Sequence, residues 1–222
     1  ALKSAASGSL DLDAPVIRYL ADPEIPSFGW ITPRMLLMHT SGIGEYDGEF
    51  MNALVRHRTR ERLRDDWLNV IRRAPPERTA AGTFRYSDLN YVVLAMVLDR
   101  TDADGAYGGI AREFTQPLRL TSTTPSVSRQ IEGLVPGYEG VRSMFGQEAM
   151  LVEGSLIYNP QFEWGGGGFV STPSDLARWM SAFRNGEAFP DSLWGAVVAR
   201  PPGVADTATS WRGMGVHVGR GP

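Results

Sequence analysis

The chain has 222 residues, a formal net charge of −3 at pH 7 and no Cys. Its length suits one large domain or two small ones, and its slightly negative charge gives no reason to expect nucleic-acid binding. The absence of Cys excludes disulfides, thiolate catalysis and Cys-ligated zinc.

The N-terminal part of the chain predicts short helices joined by turns. Residues 1–7 are typical of the end of a helix, and Gly8 is suited to stop it. Thr32-Pro33 predicts the start of a short buried helix, because Thr caps a helix well and Pro fits the first helical position. That helix is expected to end in the segment His39–Gly42, where Gly42 can take a positive φ angle.

A longer helix is predicted from Phe50 to Arg73. Apolar side chains recur there at four-residue spacing, with charged residues between them, at Leu63, Trp67 and Ile71. Pro75-Pro76 ends the helix, because proline cannot continue it.

The stretch Phe84–Leu98 predicts the central element of the chain. Its second half is apolar and lacks Gly and Pro, which is typical of a helix buried on all sides. Ser87 or Asp88 is placed to cap its start, so Tyr86 lies on the chain that enters the helix. This stretch alone leaves open whether Tyr86 is a packed tyrosine or a catalytic one.

The middle of the chain is less regular. A loop is predicted for Ala103–Gly109 and a short helix for Ile110–Phe114. Residues 121–160 are rich in Gly, Ser and Pro and show little periodicity, so they predict a long connection. A connection of this length is more often functional than idle.

The segment Trp164–Phe169 contains four consecutive glycines, which permit close backbone approach to a strand or to a ligand. A phosphate-binding loop is rejected because no Lys follows the glycines. Thr172-Pro173 then predicts the start of an amphipathic helix that closes at Gly186, and Trp211–Val218 predicts a strand.

The sequence implies no metal and no other cofactor. The three histidines are far apart and lack metal-ligand spacing. No apolar run is long enough to span a bilayer, so no transmembrane segment is predicted. No signal-peptide pattern opens the chain, but Ala1 is not an initiator Met, so an upstream segment is compatible with the sequence.

Five segments occur in one order along the chain: GSLDLDAPV, ITPRMLLMHTSGI, FRYSDLNYVVLAMVLDRT, QPLRLTSTTP and GGGGFVSTPSDLARWM. Together they resemble the serine β-lactamase-like family, which contains class C β-lactamases, D-alanyl-D-alanine carboxypeptidases and related esterases. The resemblance extends from about Leu10 to Met180. It implies an α+β, β-lactamase/transpeptidase-like fold, in which an all-helical region lies beside an α/β region built on an antiparallel sheet. Residues 1–222 are then a single domain, mostly the helical region and its connections, with the sheet region incomplete.

The resemblance also implies a catalytic role for Tyr86. In the family, a Ser of an S-x-x-K motif attacks a carbonyl carbon, and the Lys of that motif and a Tyr of a Y-x-N motif move the proton. Tyr86-Ser87-Asp88 stands at the Y-x-N position, so Tyr86 is expected to act as general acid and base. Asp88 accepts hydrogen bonds but cannot donate them, and it raises the pKa of Tyr86 unless a cation offsets it. This departure fits a carboxypeptidase or esterase better than a β-lactamase.

Further residues are implied for substrate binding. Asp88 and the glycine segment, with Gly166 and Gly167 at its centre, are expected to line one cleft with Tyr86. His217-Val218-Gly219 formally matches the family's H-x-G motif, so His217 is a candidate as well, the alternative being an ordinary strand residue. His39 could form a Ser–His pair with Ser41, but the resemblance favours a structural His in a loop closed by side-chain to backbone bonds.

No S-x-x-K motif occurs in the sequence, and the resemblance places it shortly before Ala1. We therefore expect a serine hydrolase that acts through an acyl-enzyme on D-Ala-D-Ala-type peptides, β-lactams or small esters, and that is inactive as residues 1–222 alone. The alternative is a catalytically inactive relative that binds cell-wall peptides or a protein partner. The cell-wall members of the family imply a periplasmic or extracellular protein, and the oligomeric state is left open.

Overall fold

The structure is a computed structural model that describes residues 1–20, 28–61, 64–73, 75–139, 145–146 and 149–219. The α-helices are α1 (Leu2–Ala6), α2 (Ile17–Leu20), α3 (Pro33–Leu37), α4 (Gly48–Arg56), α5 (Arg64–Arg73), α6 (Asp88–Thr101), α7 (Gly105–Ile110), α8 (Pro173–Arg184) and α9 (Trp194–Val197). The strands are β1 (Thr124–Pro125), β2 (Leu151–Val152), β3 (Ser155–Leu156), β4 (Phe169–Val170), β5 (Ser210–Arg212) and β6 (His217–Gly219). Within these ranges no helix combines the length and the apolar character needed to cross a membrane.

Helix α6 lies at the centre of the main hydrophobic core. Its buried positions occur on every side of the helix rather than along one stripe, as the sequence predicted. It packs against α2, α3, α7 and the 3₁₀ turn Trp164–Gly166. Ser87 is the N-cap, and its hydroxyl accepts a hydrogen bond from the Leu89 N–H at 3.2 Å. The predicted caps of α3 and α8 are also confirmed, because the Thr32 and Thr172 hydroxyls each accept a backbone N–H.

The strands pair into short antiparallel sheets. Strand β1 pairs with β4, β2 pairs with β3, and β5 pairs with β6, and each of these described sheets has two strands. The predicted strand from Trp211 to Val218 is thus a hairpin, in which Arg212 lies opposite His217. The reason is Gly215, which adopts φ +73° and allows the chain to turn back.

The prediction of one helix from Phe50 to Arg73 is wrong. Helix α4 ends at Arg56 and α5 begins at Arg64, while Leu63 lies outside the described residues. The interruption is held by Arg58. Its carbonyl oxygen accepts a hydrogen bond from the Asn159 N–H, and its guanidinium donates to the Phe145 carbonyl oxygen at 3.1 Å.

The loop predicted for Ala103–Gly109 is also wrong, because α7 occupies most of it and continues into a π-helical turn at Ala111–Thr115. The glycines that suggested a loop are sites of close packing. A Cβ at Gly109 would lie 2.6 Å from an Asp102 carboxylate oxygen. Helix α7 therefore forms despite the low helix propensity of glycine, and it packs against α6.

The segment His39–Gly42 is held against the chain that leads into α6. The carbonyl oxygens of His39, Thr40 and Gly42 accept hydrogen bonds from the N–H groups of Arg85, Gly82 and Glu77 at 2.8, 2.8 and 3.0 Å. Gly42 has φ +79°, and a Cβ there would lie 2.3 Å from the Glu77 carbonyl oxygen. Glycine is therefore required at this position by both conformation and space.

This contact predicts the effect of Gly42→Ala in the complete protein. We expect the free energy of unfolding to fall by about 3 kcal/mol or more, because left-handed strain is added to a clash with backbone. Gly8→Ala is the matched control, because Gly8 has the same φ of +79° and a Cβ there would have no neighbour within 4 Å. The control should lose only about 1–2 kcal/mol of strain. Urea unfolding measures both losses, and equal losses would contradict the steric explanation.

Candidate active site

A cleft of about 180 Å³ opens at the N-terminal end of α6. One wall comes from the core side of the molecule and the other from the β5–β6 hairpin. The lining residues are His39, Tyr86, Tyr91, Gly166, Arg212, Gly213, Gly215 and Val216. Two of the residues proposed from the sequence, Tyr86 and Gly166, therefore meet in one cleft.

Tyr86 enters the cleft from the residue that precedes the N-cap of α6. Its side chain is 52% exposed. The phenol O–H donates a hydrogen bond to Asp88 Oδ1 at 2.8 Å. The hydroxyl is thus at the surface, where a substrate can reach it, and it is already oriented by a carboxylate.

His39 lies behind Tyr86 and does not pair with Ser41. Its ring stacks on the Tyr86 ring with centroids 4.4 Å apart and on the Tyr91 ring with centroids 5.1 Å apart. The Ser41 hydroxyl donates to Asn90 Oδ1 and accepts the Ile43 N–H, and Ser41 is fully buried. This arrangement agrees with a structural loop rather than a Ser–His nucleophile.

The glycine segment packs directly on α6. A Cβ at Gly165 would lie 2.4 Å from the Ala95 Cβ, and a Cβ at Gly166 would lie 3.3 Å from the Asp88 Cβ. The absence of side chains therefore brings this backbone beside both Asp88 and Tyr86. Gly167 is placed differently, because it lines a separate, mostly apolar cavity of about 260 Å³ together with Gly165.

Carboxylates dominate the electrostatics around Tyr86. The hydrogen bond to Asp88 raises the pKa of the Tyr86 phenol, and partial burial and the charge of Glu45 add to this increase. Burial raises the pKa of Glu45, whose Oε2 accepts the Asp88 N–H at 3.2 Å. Burial also raises the pKa of Glu163, with contributions from Asp88 and Glu45. At neutral pH the Tyr86 phenol is therefore protonated and can donate a proton.

Arg212 brings a positive charge to the cleft, and sequence reasoning missed it. It stands on β5, and its charge lowers the pKa of Tyr86, opposing the carboxylates. The same charge lowers the pKa of His39, although burial is the larger cause there. No local pattern marks Arg212, since only the long-range approach of the hairpin to α6 places it beside Tyr86.

His217 lies on β6, opposite Arg212 in the hairpin, and its side chain is exposed. It is not among the residues that line the cleft with Tyr86. Over the described ranges, no group of three or more Asp, Glu and His side chains is arranged to hold a metal ion.

The chain is similar to a known protein family and to several solved structures. A sequence-family model described as Beta-lactamase matches residues 1–222. A solved D-stereospecific amidohydrolase from Streptomyces sp. is 24% identical, with a TM-score of 0.82 over 97% of this chain and 66% of that chain. A D-amino acid amidase from Ochrobactrum anthropi SV3 is 17% identical, with a TM-score of 0.76 over 98% of this chain and 63% of that chain. Comparison with curated proteins finds no match.

A penicillin binding protein from Bacillus halodurans is also similar, with 19% identity and a TM-score of 0.77 over 99% of this chain and 65% of that chain. These likenesses confirm the predicted α+β, β-lactamase/transpeptidase-like fold. The chain spans less than two thirds of the length of each of the three solved proteins.

The charges around the cleft predict that two substitutions will shift the pKa values of Tyr86 and His39 in opposite directions. Asp88→Asn should lower the pKa of Tyr86 and of His39, because it removes a negative charge that favours the protonated form of both. Arg212→Gln should raise both pKa values, because it removes the opposing positive charge. Titrations of ¹³C-labelled Tyr and His followed by NMR measure these shifts.

Arg60→Gln is the control for this experiment, because Arg60 pairs with Asp66 and does not line the cleft. Arg60→Gln should leave the pKa values of Tyr86 and His39 unchanged. Shifts of the same sign in Asp88→Asn and Arg212→Gln would contradict the arrangement of charges described above.

Proposed function

The chain belongs to the beta-lactamase family, and from that premise we propose that the complete protein is a serine hydrolase that acts through an acyl-enzyme, with Tyr86 as its general acid and base. The observation that carries the proposal is the half-exposed Tyr86 phenol at the mouth of a cleft, on the residue before the N-cap of a buried helix. The Tyr86 hydroxyl is thus open to a substrate and is already hydrogen-bonded to Asp88.

The proton chemistry follows from the environment of Tyr86. The nucleophilic serine oxygen bonds to the carbonyl carbon of the substrate, and the bond from that carbon to the leaving nitrogen or oxygen breaks. The leaving group needs a proton, and the Tyr86 phenol holds one at neutral pH, as an ordinary tyrosine does; Asp88 raises its pKa further. Accepting the serine proton instead requires the phenolate, which nearby cations favour, and Arg212 is positioned for this.

The proposed substrates are D-Ala-D-Ala-type peptides, small esters and β-lactams. Asp88 cannot donate a hydrogen bond to the acyl side chain of a substrate while it is ionised, and this favours peptides and esters over β-lactams. The names of two structural neighbours, a D-stereospecific amidohydrolase and a D-amino acid amidase, add amides of D-amino acids to the substrates worth testing.

The first test is covalent labelling of the complete protein with a fluorophosphonate and with a fluorescent penicillin. We expect one serine to be labelled, in an S-x-x-K motif outside residues 1–222. Labelling of Ser41 or Ser87 would contradict the proposal, since both are fully buried and their hydroxyls are hydrogen-bonded. Absence of any labelled serine would favour the alternative, a catalytically inactive relative that binds cell-wall peptides or a protein partner.

The second test is Tyr86→Phe in the complete protein. We expect kcat/KM to fall by about 10²–10⁴-fold on a p-nitrophenyl ester, a D-amino acid amide and nitrocefin alike, because a general acid–base group is lost. The substitution removes one exposed oxygen and keeps the ring, so the melting temperature should change little. Tyr138→Phe is the matched control, because the Tyr138 side chain is 72% exposed and lies outside the cleft. Near wild-type activity of Tyr86→Phe would show that Tyr86 is only a packed tyrosine.

A further inference from the structure

His39 holds the chain on both sides of Tyr86. Its backbone carbonyl oxygen accepts the Arg85 N–H at 2.8 Å, just before Tyr86. Its ring nitrogen Nδ1 lies 3.3 Å from the Ser87 nitrogen and 3.1 Å from the Ser87 carbonyl oxygen, just after Tyr86. The ring between these two contacts stacks on Tyr86 itself, with 30° between the planes.

The His39 ring has a second stacking partner. Tyr91, one turn into α6, stacks on it with 24° between the planes, and the Tyr91 hydroxyl donates to the Leu37 carbonyl oxygen at 3.2 Å. The Asn90 side-chain nitrogen lies 3.4 Å from Nδ1. The imidazole thus stacks on two phenol rings, and its Nδ1 lies within hydrogen-bond distance of Ser87 and Asn90.

The backbone of His39 is strained in order to make these contacts. Its φ angle is +53°, in the left-handed region that side-chain-bearing residues rarely adopt. Strain of this kind persists where the surroundings enforce it, commonly beside functional sites. In this conformation the His39 ring stacks on Tyr86 and its carbonyl oxygen accepts the Arg85 N–H.

We propose that His39 is a positioning residue for Tyr86, and that its ring fixes the direction of the Tyr86 phenol toward the reacting atoms. This inference rests on the proposed catalytic role of Tyr86. The imidazole needs no change of charge for this role. Burial lowers the pKa of His39, so the ring is neutral at pH 7 and stacks on the phenol without contributing a charge.

The competing explanation is that His39 only stabilises its own loop. Such a role would reduce the stability of the protein when His39 is replaced, and any loss of activity would not depend on the Tyr86 hydroxyl. A positioning role acts through that hydroxyl, so the two explanations differ in a double-mutant cycle.

The experiment uses the complete protein with His39→Asn, Tyr86→Phe and the double variant, assayed on a p-nitrophenyl ester. Asn tolerates a left-handed φ angle and keeps a polar side-chain atom near Ser87, but it removes the stacked ring. We expect His39→Asn to lower kcat by about 10–100-fold with little change in KM, since a small misplacement of a catalytic group has effects of this size. In the Tyr86→Phe background the same substitution should change kcat by no more than about twofold.

NMR supplies a readout that does not depend on activity. The ring protons of Tyr86, assigned by their loss in Tyr86→Phe, should lose the ring-current shift from His39 in His39→Asn. His57→Asn is the control, because the His57 side chain is exposed at the end of α4. It should change neither the spectrum of Tyr86 nor kcat.

Three results would overturn the inference. An equal loss of kcat in both backgrounds would make His39 purely structural while leaving the role of Tyr86 intact. An unchanged Tyr86 spectrum in His39→Asn would show that the ring does not hold the phenol. Near wild-type activity of Tyr86→Phe alone would instead remove the proposed function on which the inference rests. Should His39→Asn fail to fold, His39→Gly replaces it in the same cycle, because glycine adopts this φ angle freely and also removes the stacked ring. A lack of coupling with Tyr86→Phe, or an unchanged Tyr86 spectrum, would then overturn the inference.

Discussion

The enclosure of α6 is the constraint on which the rest of the structure depends. Its residues from Val92 to Val97 are buried, and side chains of this size each contribute roughly 1.5–3 kcal/mol when they leave water. A helix with no polar face needs neighbours on every side. Helices α2, α3 and α7 supply several of them, and the backbone of Trp164–Gly166 completes the enclosure where a larger neighbour would not fit.

The site lies where this enclosure ends. The first residues of a helix leave backbone N–H groups without partners, so polar groups must gather there. Ser87 accepts one of these N–H groups and Glu45 accepts another. Tyr86 and Asp88 flank the cap, and the segment His39–Gly42 is held against the same end of the helix by backbone hydrogen bonds. The polar chemistry of the cleft is thus a consequence of how a helix with a buried, apolar middle has to begin.

The sequence predicted the parts of this arrangement that depend on local pattern. The apolar run of α6, the caps Ser87, Thr32 and Thr172, and the left-handed glycine at Gly42 are each set by a few adjacent residues. The family resemblance added the fold and the candidate Tyr86, which no periodicity distinguishes from a packed tyrosine.

What the sequence could not predict depends on contacts between distant segments. The break between α4 and α5 is held by Arg58 through residues nearly a hundred positions away. Helix α7 forms despite its glycines, and its Tyr107 packs edge-on against the distant Phe169. Arg212 reaches Tyr86 from a hairpin far along the chain, so its effect on the pKa of the phenol appears only once the fold is known.

The two walls of the cleft differ in how readily they can accommodate substitutions. His39 and Tyr91 are built into the core, whereas the opposite wall is the surface hairpin that carries Arg212 and Val216. Within that hairpin, Gly213 is fixed because a Cβ there would lie 2.1 Å from the Val197 carbonyl oxygen. Substitutions at Val216 can therefore alter the shape of the cleft while the groups around Tyr86 stay in place, whereas a change at Arg212 would also shift the pKa of the phenol.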